Sequence, residues 1–221
     1  ANSRDVNVYN NTFTNLKGYG SVCLPGACIF PCTTPPPPPP CATAPIGIAV
    51  YAIANNTASA NTAIIGGQNT SLQGNTMTDC FQGVFIKNYT TTQVANNIMS
   101  NSTNLVPISS RGNVNAAAVY GYTGVYMTST QANSVFILNN KITNYSVGIN
   151  VLGVGSPGLE LLQPFSGITG YSISGNTISI TNSTDASMMN GILLQNVYPN
   201  PRVFSTGFLI SYNTIENANT C

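Results

Sequence analysis

The side chains able to do acid–base or metal chemistry in this 221-residue chain are few enough to take one by one. The carboxylates are Asp5, Asp79, Glu160, Asp185 and Glu216, the cations are Arg4, Lys17, Lys87, Arg111, Lys141 and Arg202, and histidine is absent. Without histidine the commonest general base and metal ligand are gone, and so is any Ser-His-Asp or Cys-His pair. Glycoside hydrolysis runs on carboxylates alone, but needs two of them about 5–5.5 Å apart for retention or about 6.5–9.5 Å for inversion. Calcium asks for six to eight oxygens. Five scattered acids meet neither demand, so no catalytic residue, metal or cofactor is expected.

The six cysteines, Cys23, Cys28, Cys32, Cys41, Cys80 and Cys221, have no histidine partners and no C-x-x-C spacing. That favours disulfides in an oxidising, extracellular or cell-surface setting over zinc or redox catalysis. Only 5% of residues are charged and the net charge is +1, where about 25% charged is usual. No basic footprint for nucleic acid exists. The longest apolar-leaning run, residues 45–54, falls short of the roughly 20 residues that span a bilayer, so no membrane insertion is expected. A near-neutral surface of Asn, Ser, Thr, Gln and Tyr favours self-association.

What positions these residues is a repeat: an aliphatic residue, two variable positions, Asn, one variable position, then Phe, Ile or Met. Its copies centre on Asn11, Asn75, Asn97, Asn140, Asn176 and Asn213, with Val8, Leu72, Val94, Ile137, Ile173 and Ile210 at the aliphatic position. Four copies continue into a Gly and an apolar strand, at Gly83, Gly124, Gly148 and Gly191, and the first is expected to reach its equivalent at Gly47-Ile48-Ala49-Val50. The shortest Asn-to-Asn spacing, 22 residues from Asn75 to Asn97, is one coil. Longer spacings are coils with insertions at their corners. Short β-branched strands bounded by Gly, Asn and Ser, without 3.6-residue periodicity, exclude helices.

The repeat resembles that of the right-handed parallel β-helix, the pectate-lyase-like superfold, over nearly the whole chain. The resemblance implies an all-β solenoid of about five to six coils, residues 1–221 forming one domain with a Cys/Pro-rich insertion at about 23–45. It also implies aliphatic residues pointing inward and an Asn at each tight turn stacked on the Asn of the next coil. The turn needs a residue tolerant of unusual φ/ψ, and a column of amides hydrogen-bonds along the axis. Many relatives cleave acidic polysaccharides. Here Asp79 and Glu216 fall four coils, about 19 Å, apart, and only Glu160 and Asp185, in corner insertions of adjacent coils, could approach each other.

Six prolines at 35–40 form a stiff rod of about 19 Å. Cys32 and Cys41 flank that rod and are therefore not expected to pair, since a disulfide needs Cα atoms about 4.4–6.8 Å apart. Cys80, beside the insertion, is the expected partner for one of its cysteines. Asn-x-Ser/Thr sequons begin at Asn10, Asn55, Asn69, Asn88, Asn101, Asn144 and Asn182, and Asn101 and Asn144 fall at an expected turn where a glycan fits. Tyr120, Tyr122 and Tyr126 cluster around one coil as a candidate sugar-stacking patch. Threonine, as in residues 90–92, recurs at no common register, so an ordered-water face is not expected.

The expectation is a non-enzymatic extracellular structural protein, a filament subunit whose partner is itself. Neither end reads as a cap, so head-to-tail stacking into a homopolymer is expected, with Cys221 bridging to the cysteine-bearing insertion of a neighbour. The alternative is an adhesin or viral tailspike-type fibre segment that binds carbohydrate or a receptor.

Overall fold

In the computed structural model, the described residues are 5–16, 23–24, 27–28, 48–54, 61–67, 73–80, 82–101, 123–129, 134–145, 147–153, 170–179, 190–195 and 208–216. Their strands stack into three parallel sheets. Sheet 1 holds β1 (Asp5–Val8), β6 (Thr62–Gly66), β9 (Thr91–Ala95), β12 (Ser134–Leu138), β15 (Gly170–Ser174) and β18 (Phe208–Ser211). Sheet 2 holds β2 (Thr12–Thr14), β7 (Thr76–Thr78), β10 (Ile98–Ser100), β13 (Lys141–Thr143), β16 (Thr177–Ser179) and β19 (Thr214–Glu216). Sheet 3 holds β5 (Ile48–Ile53), β8 (Gln82–Lys87), β11 (Thr123–Thr128), β14 (Val147–Leu152) and β17 (Asn190–Gln195). The chain visits the sheets in the order 1, 2, 3 and rises one strand per circuit. This is a right-handed parallel β-helix, as the repeat predicts. In the first circuit a two-stranded antiparallel hairpin, β3 (Cys23–Leu24) and β4 (Ala27–Cys28), lies between β2 and β5.

Alternation explains the core. Strand residues two apart share a face, so alternate residues of the strands build columns of apolar side chains that point inward. In sheet 1 the register runs Val8, Ile65, Val94, Ile137, Ile173 and Ile210. In sheet 2 it runs Phe13, Met77, Met99, Ile142, Ile178 and Ile215. The central members of both columns are buried, each such side chain contributing about 1.5–3 kcal/mol.

Two expectations shift. Ile65, not Leu72, occupies the inward position of the second coil, pairing with Val8 and Val94. Leu72 lies outside the described residues, in a stretch inserted between β6 and β7. In the first coil Ile48 pairs with Gln82 and Val50 with Val84, so Ala49, not Gly47, stands level with Gly83. A slip of two residues keeps every side chain on its face, which is why apolar alternation alone leaves the alignment open. The other four coils carry glycine at this level, and the reason is space. A Cβ on Gly148 lies 2.6 Å from Ile178 Cγ2 and 2.6 Å from the Gly191 carbonyl, so the sheet 2 side chain of the following coil fills the room beside this backbone. Gly83, Gly124 and Gly191 repeat that approach.

Gly148→Ala is therefore expected to cost about 1–3 kcal/mol by overpacking, read as a lower urea midpoint at unchanged m-value. A midpoint equal to that of the parent protein shows that the wall yields freely and removes this account of the glycine column.

Candidate functional site

The six ladder asparagines form one continuous chain of amides. Asn97 accepts at Oδ1 from both the backbone N–H (3.0 Å) and Nδ2 (2.9 Å) of Asn75. It donates in turn from its own N–H and Nδ2 to Asn140 Oδ1, both at 3.0 Å. The same pair of bonds links Asn11 to Asn75, Asn140 to Asn176 and Asn176 to Asn213. The spare Nδ2 hydrogen goes to a sheet 1 carbonyl, Val8 for Asn75, Ile65 for Asn97, Val94 for Asn140 and Ile137 for Asn176. No other side chain offers one two-lone-pair acceptor and two amide donors at this reach. Asn75, Asn97, Asn140 and Asn176 are buried, and all their amide groups are satisfied.

The unusual backbone sits one residue earlier than expected. Asn10, Asn96, Asn139, Gly175 and Tyr212, each just before a ladder Asn, have φ between 54° and 68°. The ladder residues themselves do not. Asn and Gly tolerate this left-handed region best, and the Asn-Asn pairs at 10–11, 96–97 and 139–140 divide the labour, the first making the corner and the second the ladder.

A second corner follows sheet 2, with Asn15, Asp79 and Asn144 at φ 58°, 54° and 61°. There Asn144 Nδ2 donates to the Asn101 carbonyl at 2.6 Å and Asn101 Nδ2 to the Asn144 carbonyl at 3.3 Å. Asn101 is 4% exposed, so the expectation that this sequon accommodates a glycan is corrected: its amide nitrogen is enclosed, and that of Asn144 is engaged. Asn10 is exposed and Asn88 half-buried. Asn55, Asn69 and Asn182 lie outside the described residues.

Cys80 is also corrected. It is a free, buried thiol, with Sγ near the carbonyls of Phe13 (3.7 Å) and Thr78 (3.5 Å). The side chain enters the core instead of facing the insertion. Burial pushes its thiol up. Tyr145, 3% exposed, has its phenol raised by burial first and by Cys80 second, with Asn101 offsetting part. Neither Tyr145 OH nor Asn101 Oδ1 completes a hydrogen bond. Cys23 and Cys28 belong to the hairpin, while Cys32, Cys41 and Cys221 lie outside the described residues.

The described acids, Asp5, Asp79 and Glu216, are dispersed. Asp5 Oδ1 accepts from the Thr62 N–H at 3.1 Å, and the sheet 2 register puts four coil steps between Thr78, next to Asp79, and Glu216. Glu160 and Asp185 lie outside the described residues, as do Arg4, Lys17, Arg111 and Arg202. Tyr126 is buried, so it offers no face to a sugar; Tyr120 and Tyr122 are not described. Instead Tyr51, Phe85 and Tyr126 stack along sheet 3 with centroids 5.0 Å apart, the ring faces turned towards one another.

Hydroxyls do share a register, contrary to expectation. Thr14, Thr78, Ser100, Thr143 and Ser179 form an unbroken column on sheet 2, and Thr12, Thr76, Thr177 and Thr214 a second one interrupted by Ile98 and Lys141. The signal was the positions one and three after each ladder Asn, read for serine as well as threonine.

Compared with known proteins, the chain matches no family model, no curated protein and no solved structure. The β-helix assignment rests on the register of its strands.

Two outcomes follow from these contacts. Asn97→Ala strands two buried donors of Asn75, a loss of about 2–6 kcal/mol in urea unfolding. Asn97→Asp keeps the acceptor but turns a carboxylate oxygen towards Asn140 Oδ1 and the Ile65 carbonyl, which raises its value in the folded chain above the ordinary one of about 3.9, so its deficit shrinks as pH falls towards about 4 and is smallest below that. A deficit independent of pH contradicts the assigned amide orientation.

The alkaline limb is the second. Cys80, Tyr51, Tyr89, Tyr145 and Tyr171 all have raised values, from ordinary ones of 9.0 for the thiol and 10.0 for the phenols. The folded chain holds these protons while the unfolded chain loses them, so their contribution is complete below about pH 9 and falls as pH rises. Melting temperature is expected to drop above that point, with Tyr145→Phe flattening the decline at near-parental stability in neutral solution. An identical alkaline decline in that variant removes Tyr145 from the account.

Proposed function

We propose that the chain is a non-enzymatic, extracellular structural subunit that stacks head-to-tail into a filament. The observation that carries this reading is the polarity of the ladder. Every bond in it runs from donors on one coil to an acceptor on the next, from Asn11 towards Asn213. Among the described residues, Asn11 Oδ1 receives no bond, while the N–H and one Nδ2 hydrogen of Asn213 have no acceptor. An acceptor at one face and a donor pair at the other are complementary, whereas two like faces repel. The geometry therefore favours a heterologous contact, which propagates instead of closing.

Apolar surface supports the same joint. Ile210 and Ile215, 48% and 43% exposed, are the register partners of Ile173 and Ile178, which are buried. A following copy bringing Val8 and Phe13 into the next position extends both columns. Among the described residues sheets 1 and 2 have six strands and sheet 3 five. The extracellular setting rests on the cysteine content and the scarcity of charge. The likeness to the pectate-lyase-like superfold is then to its fibre-forming members, without the enzymes' chemistry.

Electron microscopy and sedimentation of the purified chain test this. Fibres are expected with an axial repeat of about 29 Å, six coils at about 4.8 Å. Asn213→Asp keeps the bonds accepted from Asn176 but sets an acceptor against Asn11 of the next copy, and Ile210→Lys places a charge in the joint. Both are expected to remain monomeric with parental circular dichroism. A parent that stays monomeric at every concentration, or an Asn213→Asp protein that polymerises equally well, sinks the proposal.

A further inference from the structure

We propose that Tyr212 of one copy packs against Tyr9 of the next, a rim contact that closes the filament joint outside the core. This rests on the head-to-tail reading and adds a pair of residues that neither the amide ladder nor the apolar columns call for. Tyr212 is the odd member of its corner. In four other coils the residue before the ladder asparagine is Asn10, Asn96, Asn139 or Gly175, types that enter the left-handed region most readily. Tyr212 sits there at φ 54° with its side chain 91% exposed, so no contact within the described chain offsets the strain. An aromatic ring held in solvent on an uncommon backbone points to a surface outside the molecule.

Of the eight large apolar side chains exposed among the described residues, only Ile98 lies outside the first and last coils. Ile210 and Ile215 are core positions left open. Tyr9, Leu209 and Tyr212 are not: alternation turns Tyr9 and Leu209 outward beside the inward Val8 and Ile210, and Tyr212 stands at the corner. Apolar surface thus continues from the core columns onto the rim.

Backbone register brings the two tyrosines together. The N–H of each left-handed corner residue donates to the carbonyl just before the corner residue of the next coil: Asn96 to Leu138 at 3.0 Å, Asn139 to Ser174 at 2.9 Å and Gly175 to Ser211 at 3.2 Å. One step further, the Tyr212 N–H meets the Tyr9 carbonyl of the next copy. That carbonyl already accepts from Asn11 Nδ2 at 2.8 Å. Ser174 shows that both bonds fit, since its carbonyl takes the Asn139 N–H and, at 3.3 Å, Asn176 Nδ2. Backbones joined in this way stand about 4.8 Å apart, within reach of rings that pair at centroid distances of about 4.5–7 Å. The coil before Tyr212 presents Gly175 at this corner, with no side chain to hold the ring on its own molecule.

Three measurements on the full chain test the contact. Tyr212→Gly relieves the backbone and removes the ring. Its monomer is expected to unfold at a parental or higher urea midpoint, while its critical concentration for fibre formation, read by sedimentation, rises about tenfold. Tyr9→Ala is expected to give a similar rise, and the double variant no more than the larger single effect, because the two rings make one contact. Replacing Tyr212 by the photo-cross-linker benzoylphenylalanine and illuminating the fibres is expected to give covalent dimers, joined at Tyr9 or the residues beside it in the neighbouring copy. Tyr212→Gly fibres at the parental critical concentration, or cross-links confined to one chain or mapped elsewhere, overturn this contact while the filament stands. A parent protein that forms no fibres overturns both.

Discussion

One carboxamide oxygen accepting two N–H bonds from the coil before it is the contact on which the solenoid turns. A corner between sheets 1 and 2 must leave backbone groups unpaired by either ladder, and those groups face the interior, where an unpaired donor is costly. Asn supplies the missing acceptor and, through Nδ2, passes the demand to the next coil. Because each asparagine is satisfied only when its neighbour is in step, the chain of amides fixes the rise and rotation of successive coils. The apolar columns then follow. Val94 and Ile137 can stack on one side and Met99 and Ile142 on the other because Asn97 and Asn140 hold the corner between them.

The ladder was legible in the sequence because it demands one residue type in a fixed frame, and all six members fall where the repeat places them. The left-handed residue in front of five of the six was partly legible too, as the Asn-Asn pairs at 10–11, 96–97 and 139–140, but the ladder residue itself was credited with that role. Insertions blurred the rest. The stretch between β6 and β7 displaced the inward aliphatic from Leu72 to Ile65, and a slip of two residues in β5 was invisible to apolar alternation. Cys80 was misread for a different cause: nearness to the insertion along the chain says nothing about which way a side chain points.

Interior and exterior obey separate rules. Inside, the members of each column are close in size and the glycine column keeps open the space that the isoleucines of sheet 2 enter. Outside, sheet 2 displays hydroxyls, with Lys141 and Glu216 among its charged members, and sheet 3 exposes Tyr51 at one end of a row of rings that runs through Phe85 to the buried Tyr126. The titrations shifted by burial belong to phenols and one thiol, so the core carries its proton linkage at alkaline pH. A surface so poor in charge has little electrostatic repulsion to keep copies apart.

Alignment of the bonds has a mechanical consequence. Strand-to-strand hydrogen bonds in all three sheets, and both bonds of every ladder step, run along the solenoid axis. Tension along that axis therefore loads every bond at a coil junction in parallel. They must break nearly together, which is the loading geometry of a clamp, while a force applied across the axis at one strand can peel bonds away singly. The molecule is stiff along its length and most easily opened from the side.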